Sequence, residues 1–305
     1  MAAYILRRLA YSLITLALFF ALIFVLVRMT GNPADLYLPL NSTQEMRDAF
    51  SARLGLDQPI YIQFGRFVLD LLRLDFGDSL VRGIPAMSVA LNAFPRTAAL
   101  ALVVMPIAAT LAIMIGSAAA YRPNSIAGRT ATLGALVATA VPDFWIGIMG
   151  VLWFSVMLGW LPTSGTGGWQ YWVLPVLALA ARPTGILAQV VRGAMVQTLT
   201  SPYIKAARAK GISKQALVFR HAFRNATLPV ITVGGEQFAG ILSGAIVVET
   251  IFGWPGIGKT MMDSILQRDF AVVQASALVI ASSIFLLNIF IDILYARLDP
   301  RISFK

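Results

Sequence analysis

Six stretches of this chain are apolar over the length of a membrane-crossing helix, and that requirement for a lipid solvent fixes most of what the chain can become. Arg7 and Arg8 precede nineteen uncharged residues, 9–27, close to the ~20 that a helix needs to cross about 30 Å of hydrocarbon. Five further runs follow at 97–121, 130–158, 171–191, 230–248 and 271–291, with Asp143, Arg182 and Glu236 inside the third, fourth and fifth spans. A chain of 305 residues that is 58% hydrophobic and 12% charged cannot cover so much apolar matter with one soluble core. The expected fold is an all-α membrane protein of six transmembrane helices. The first run reads as an anchor, because a removed secretory signal has only ~7–15 apolar residues and a small-residue cleavage site, whereas this run ends in Val27-Arg28-Met29. With no cysteine, disulfide, thiolate and cysteine-metal chemistry are excluded.

A net charge of +10 in a soluble chain would suggest nucleic acid, but here the basic residues sit in loops between apolar runs, where they set orientation. Six spans put both termini on one side. Arg7 and Arg8 lead the first span, Arg122 and Arg129 fill the second loop, and the fourth loop carries Arg192, Lys205, Arg208, Lys210, Lys214, Arg220 and Arg224. No acid occurs between Asp143 and Glu236. Loop 159–170 holds no charge, and 249–269 holds three acids against Lys259 and Arg268. Both termini and the basic loops are therefore expected on the cytoplasmic face, and the long loop after the first span outside.

That long loop carries its own helical signals. Ser42 and Glu45 form a capping-box pattern ahead of 46–54, with Gly55 as the stop. A second helix is predicted from Pro59 to about Leu74, with Phe64, Phe67, Val68, Leu71 and Leu72 along one face. That stripe suits packing on the protein's own surface, the membrane interface or a partner equally well.

Between the fourth and fifth spans, Ser201-Pro202 opens a short basic segment that is too polar for lipid. It is expected to form two short helices. Ala206, Ala207 and Ala209 leave a narrow face for close approach, Arg208, Lys210 and Lys214 rim it, and Gly211 ends the first helix in the left-handed conformation. The run Lys205-Ala206-Ala207, then Gly211, then Leu228-Pro229 resembles the Glu-Ala-Ala docking loop of the inner-membrane permeases of binding-protein-dependent ABC importers, with Lys205 in place of the glutamate. Further strings are similar to one branch of that family, the first permease of the dipeptide, oligopeptide, glutathione and nickel importers. They are Tyr4-Ile5-Leu6-Arg7-Arg8, Leu54-Gly55-Leu56-Asp57-Gln58-Pro59, Asp75-Phe76-Gly77, Gly168-Trp169-Gln170 with Leu174-Pro175, Arg220-His221, Trp254-Pro255-Gly256 and Asp299-Pro300-Arg301.

The resemblance implies a type I ABC importer permease fold, with 1–96 as first span and extracytoplasmic helical loop, 97–296 as a five-span core, a docking loop at about 198–229, and a cytoplasmic tail at 297–305. It implies a pore subunit in the cytoplasmic (inner) membrane, assembled with a second similar permease, two cytoplasmic ATPase subunits and an external solute-binding protein. The contact set for the ATPase would be Tyr203, Ile204, Lys205, Ala206, Ala207, Arg208, Ala209, Lys210 and Gly211. ATP and Mg would be bound by the ATPase partners and no cofactor by this chain. Di- or oligopeptides are the expected cargo, with nickel or a nickel chelate as the alternative within the family.

One motif points elsewhere. Gly253-Trp254-Pro255-Gly256-Ile257-Gly258-Lys259-Thr260 fits the phosphate-loop pattern, which works only where a strand delivers the loop and a helix begins at Lys-Thr. Here a membrane run precedes it, so a tight turn after the fifth span is expected instead, with Trp254 at the interface and Gly256 and Gly258 giving the bend.

Charges inside hydrocarbon cost at least ~2.5–3.5 kcal/mol on insertion scales, so Asp143, Arg182 and Glu236 must face protein or water and are candidates for the translocation pathway. Counted from opposite faces at ~1.5 Å per residue, Asp143 and Arg182 both reach mid-depth, where they can brace each other or meet solute. An ion-coupled secondary transporter would use the same three as its relay. Glu236 lies among Gly234, Gly235 and Gly240, a pattern suited to close helix contact or a gate. His221 stands alone in the basic loop, Asp292 and Arg297 read as boundary residues, and no nucleophile-and-base pair suggests an enzyme.

Overall fold

The computed structural model describes residues 2–29, 37–39, 41–121, 123–213, 217 and 223–298. All six apolar runs fall on helix. In chain order these helices are α1 (Ala2–Met29), α2 (Gln44–Arg53), α3 (Ile60–Arg73), α4 (Ala86–Tyr121), α5 (Ile126–Ala140), α6 (Asp143–Gly150), a π-helical turn (Val151–Met157), α7 (Gln170–Leu199), α8 (Pro202–Ala209), α9 (Phe223–Gly244), α10 (Ile246–Ile251), α11 (Ile257–Leu266) and α12 (Phe270–Leu298). Among the described residues α4, α7 and Phe270–Ile291 of α12 are single helices long and apolar enough to cross a membrane. The only β pairing among them is an isolated bridge between Asp78 and Pro85.

The described residues form two compact units, the first drawn from 2–95 and 255–285, the second from 96–254 and 286–298. In the first, Phe20, Ile23 and Phe24 of α1 pack with Phe67 of α3 and with Val273, Ala277 and Leu278 of α12. A second cluster joins Ala86, Val89, Ala90 and Ala93 at the start of α4 to Ile257, Val272, Ala275 and Val279. A polar clasp ties the loops: Ser79 Oγ donates to Asp269 Oδ2 at 2.5 Å, and the Tyr37 hydroxyl donates to the Gln267 carbonyl at 2.7 Å. The N-cap of α2 is Thr43, whose hydroxyl accepts from Met46 N at 3.4 Å, and not Ser42, whose buried Oγ has no partner. The expected capping box is thus displaced by one residue, while Gly55 does follow the helix, at φ 67°. Of the predicted stripe on α3, Phe67 is buried, Leu71 packs on the core and Leu72 is exposed.

The second unit is built around α7, which packs on α5, α6, α9 and α10. Small residues allow the closest crossings. A Cβ at Gly185 would lie 2.5 Å from the Ala135 carbonyl oxygen on α5, and one at Gly116 on α4 would lie 2.6 Å from the Ala188 carbonyl oxygen. Backbones can meet at these distances only where a side chain is missing, which is how helices associate where lipid removes the hydrophobic drive. The expected third span, 130–158, is not one straight helix: α5 and the helix that follows are bent by 96°. The cause is Pro142, whose ring drives the preceding Val141 out of the helical region, to φ −80° and ψ 127°.

Candidate coupling and translocation sites

Only Thr200 and Ser201 separate α7 from α8, and both are held by hydrogen bonds to the last turn of α7. Ser201 N and Oγ donate to the Thr198 carbonyl at 3.0 and 2.5 Å, and Thr200 N to that of Val196 at 3.2 Å. Pro202 starts α8 where its missing N–H costs nothing, and Gly211 at φ 81° turns the chain away after Ala209. Within α8 the side chain of Ile204 is buried, Tyr203, Lys205, Ala206 and Ala209 are exposed and Ala207 is half-buried, and Lys210 just after the helix is exposed. One apolar anchor therefore fixes the helix and leaves its small-residue face open. The side chain of Arg208, residues 214–216 and 218–222 of the docking loop with His221 among them, the side chains of Asp292 and Arg297, and the 299–305 part of the tail lie outside the described residues. Pro229, expected to close the loop, instead sits in the second turn of α9, which begins at Phe223.

The structure sets the three charged residues of the apolar runs in different surroundings. The bend at Pro142 makes Asp143 the first residue of α6, so its depth does not follow from a count along a straight span. Its carboxylate stands at a helix N-terminus, where the backbone dipole favours negative charge. Oδ1 is buried and accepts no hydrogen bond, and although the field of Arg182 reaches the group, the two form no ion pair. Thr184 Oγ1 and Arg192 Nε on α7 are also buried without partners. Arg182 and Glu236 are exposed, and beside Glu236 a Cβ at Gly235 would clash with Ile291 Cδ1. Gly235 is thus the close-contact position of that glycine set, since Cβ atoms at Gly234 and Gly240 would meet nothing.

Residues that looked like a solvated outer loop prove to be packed. Glu249 is fully buried and accepts a short hydrogen bond from the Thr97 hydroxyl, a partner 152 residues away. Trp254 is buried against protein: its ring meets Trp172 edge-on at 4.6 Å and Nε1 donates to the Arg96 carbonyl at 3.1 Å. The turn is made by Gly253, at φ 61°, while Gly256 caps α11 in extended conformation and Gly258 lies inside it. The phosphate-loop pattern follows the helix α10 instead of a strand, and Lys259 Nζ pairs with Asp263 at 2.5 Å. Among the described residues no group of three or more His, Asp or Glu side chains could hold a metal.

Comparison with known proteins supplies the family to which this helical chain is similar. Residues 112–304 match the family of binding-protein-dependent transport system inner membrane components. The chain belongs to this family. It is 37% identical, over the full length of both chains, to the glutathione transport system permease protein GsiC of Salmonella typhimurium (strain LT2), and 36% identical to GsiC of Escherichia coli (strain K12). Its fold is similar to that of the MetNI methionine ABC transporter in inward-facing form, with a TM-score of 0.60 and 13% identity over 70% of this chain and 97% of that one. An amino acid ABC transporter solved with histidines gives 0.51 and 17% identity over 70% and 94%. This importer permease is therefore a transport subunit of the inner membrane, and the ion-coupled alternative gives way to an ABC importer.

Proposed function

We propose that this permease forms half of a pore that imports short peptides, in assembly with a second permease, two ATPase subunits and an external binding protein. The observation that carries the cargo reading is likeness along the whole chain to permeases of glutathione transport systems, glutathione being a tripeptide. The energy would enter at α8. Tyr203–Gly211 would be the handle, Ala206 and Ala209 allowing an ATPase groove to close on the backbone while Ile204 keeps the helix seated. Because the two linker residues, Thr200 and Ser201, are hydrogen-bonded to the last turn of α7, a push on α8 would be passed along α7 as along a rod. Arg182 lies twenty residues before Pro202, about 30 Å along that rod at ~1.5 Å per residue, so ATPase closure at one face would shift charge deep in the other.

Asp143 and Arg182 would then face the cavity of the pathway, where opposite charges left unpaired suit the two termini of a zwitterionic peptide. Glu236, beside the tight Gly235–Ile291 crossing, would lie where α9 and the end of α12 move together. Both termini would be cytoplasmic. Uptake assays on the chain expressed with its partner subunits test this reading: labelled dipeptide and glutathione should compete with each other and nickel ions should not. Competition by nickel but by neither peptide would replace the cargo.

A further inference from the structure

The helix α3 carries three stripes. Phe67 and Leu71 enter the core of the first unit. Gln63, Arg66, Asp70 and Arg73 recur at polar positions along a second face. The third is apolar and open: Tyr61, Leu69 and Leu72 are 72%, 53% and 76% exposed, with Val68 and Phe64 beside them. What covers that third face follows from where α3 sits on α1. The Phe64 and Phe67 rings meet Phe24 at 5.3 and 5.4 Å, and Phe67 meets Phe20 at 6.4 Å. Phe24 and Phe20 lie four and eight residues before Arg28, about 6 and 12 Å inside the apolar run at ~1.5 Å per residue. On α1 itself Leu18, Leu22, Val25 and Leu26 are exposed, so the open face of α3 adjoins surface that must already contact lipid.

Behind α3 lies a cavity of about 300 Å³ lined by Arg28, Arg53, Arg66, Asp70 and Asp78 among others. Its charges are of both signs, yet these five form no ion pair with one another. Arg28 donates to Gln63 Oε1 at 2.8 Å and rests over the Phe24 ring at 4.8 Å, and Arg66 lies close against Gly55. Burial and the neighbouring Asp75 push the Asp70 carboxyl above its ordinary range, against the lowering effect of Arg73 and Arg66.

We propose that α3 lies in the membrane interface at the Arg28 end of α1, and that the cavity behind it holds a zwitterionic aminophospholipid headgroup. The phosphate would lie against Arg28, Arg53 and Arg66 and the ammonium against Asp70 and Asp78. An amphipathic helix buries its apolar face at the headgroup–acyl boundary, and this one would bring charge of both signs to the same depth. The natural absence of cysteine makes the seat measurable in the full chain reconstituted in vesicles. Spin labels on L69C and L72C should collide freely with oxygen and poorly with a water-soluble nickel chelate, and a label on M46C of α2 should do the reverse. Equal access of the chelate to all three would leave the face for a protein partner and overturn the seat. For the headgroup, mass spectrometry of the purified chain after exposure to equal phosphatidylethanolamine and phosphatidylglycerol should show preferential retention of the former, by about fivefold for ~1 kcal/mol of charge recognition. D70N/D78N should erase the preference and R53Q/R66Q should lower retention of both lipids. Equal retention by the unaltered chain, or retention indifferent to R53Q/R66Q, would overturn the headgroup site.

Discussion

Thr97 and Glu249 show how a single pair can organise a span boundary. A carboxylate with no solvent exposure is tolerated only where donors are supplied, and the Thr97 hydroxyl at the head of the second apolar run is one of them. Thr97→Val keeps the shape and removes that donor, so it should cost about 1.5–3 kcal/mol, the range for a hydrogen bond to a charged group. The measurement is thermal unfolding of the purified chain in detergent, and an unchanged midpoint would show the bond to be idle. Asp143 calls for the opposite test. Its Oδ1 lacks a partner and Arg182 does not pair with it, so Asp143→Asn should leave the folded yield intact while lowering peptide uptake on the pathway reading. A loss of folded protein restored by Arg182→Ala in the double variant would make the two a brace.

At the scale of elements, much was legible because helical signals are local. The apolar runs, the helix stop at Gly55, the start at Pro202 and the left-handed Gly211 each depend on residues within a turn of one another. What was not legible depends on contacts between distant segments. Nothing near Glu249 announces Thr97, nothing near Trp254 announces Trp172, and the stripe on α3 does not say that Phe67 is buried in the core while Leu72 is left exposed. The bend at Pro142 falls between these cases: the proline was visible, but hydropathy continues straight through it, and a depth counted along a straight span therefore does not carry over to Asp143. Labels at Ile126→Cys and Met157→Cys measure the bend directly. Two arms of about 22 Å crossing at 96° put the ends about 30 Å apart, against about 46 Å for one straight helix at ~1.5 Å per residue. Pulsed dipolar spectroscopy in vesicles should return the shorter distance, and Pro142→Ala should broaden it toward the longer. The crossings of α7 make a parallel case: Gly185→Leu has no room against Ala135 and Thr139 and should abolish folded protein, whereas Gly234→Leu, where nothing lies within reach, should not.

For the whole molecule the decisive question is whether α8 works as a handle or only as a connector. Its small exposed face is a packing feature any loop helix could have, so loss of uptake alone does not separate the two. The separation comes from what happens to ATP. Ala206→Trp adds bulk to an exposed position and leaves Ile204 in its buried seat, so the permease should still fold and insert. If α8 is gripped by the ATPase subunits, the assembled transporter should then hydrolyse ATP without the stimulation that binding protein and peptide give, and uptake should fall by at least about tenfold, the equivalent of ~1.4 kcal/mol of lost coupling. If α8 only connects α7 to α9, stimulation and uptake should match the unaltered assembly. The same site reports orientation: a membrane-impermeant thiol reagent should label Ala206→Cys only after the membrane is opened, and Ser164→Cys, in the charge-free loop, without opening it. Labelling of Ala206→Cys in intact cells would put the handle on the wrong face for an ATP-driven motor and remove the mechanical basis of the proposed import.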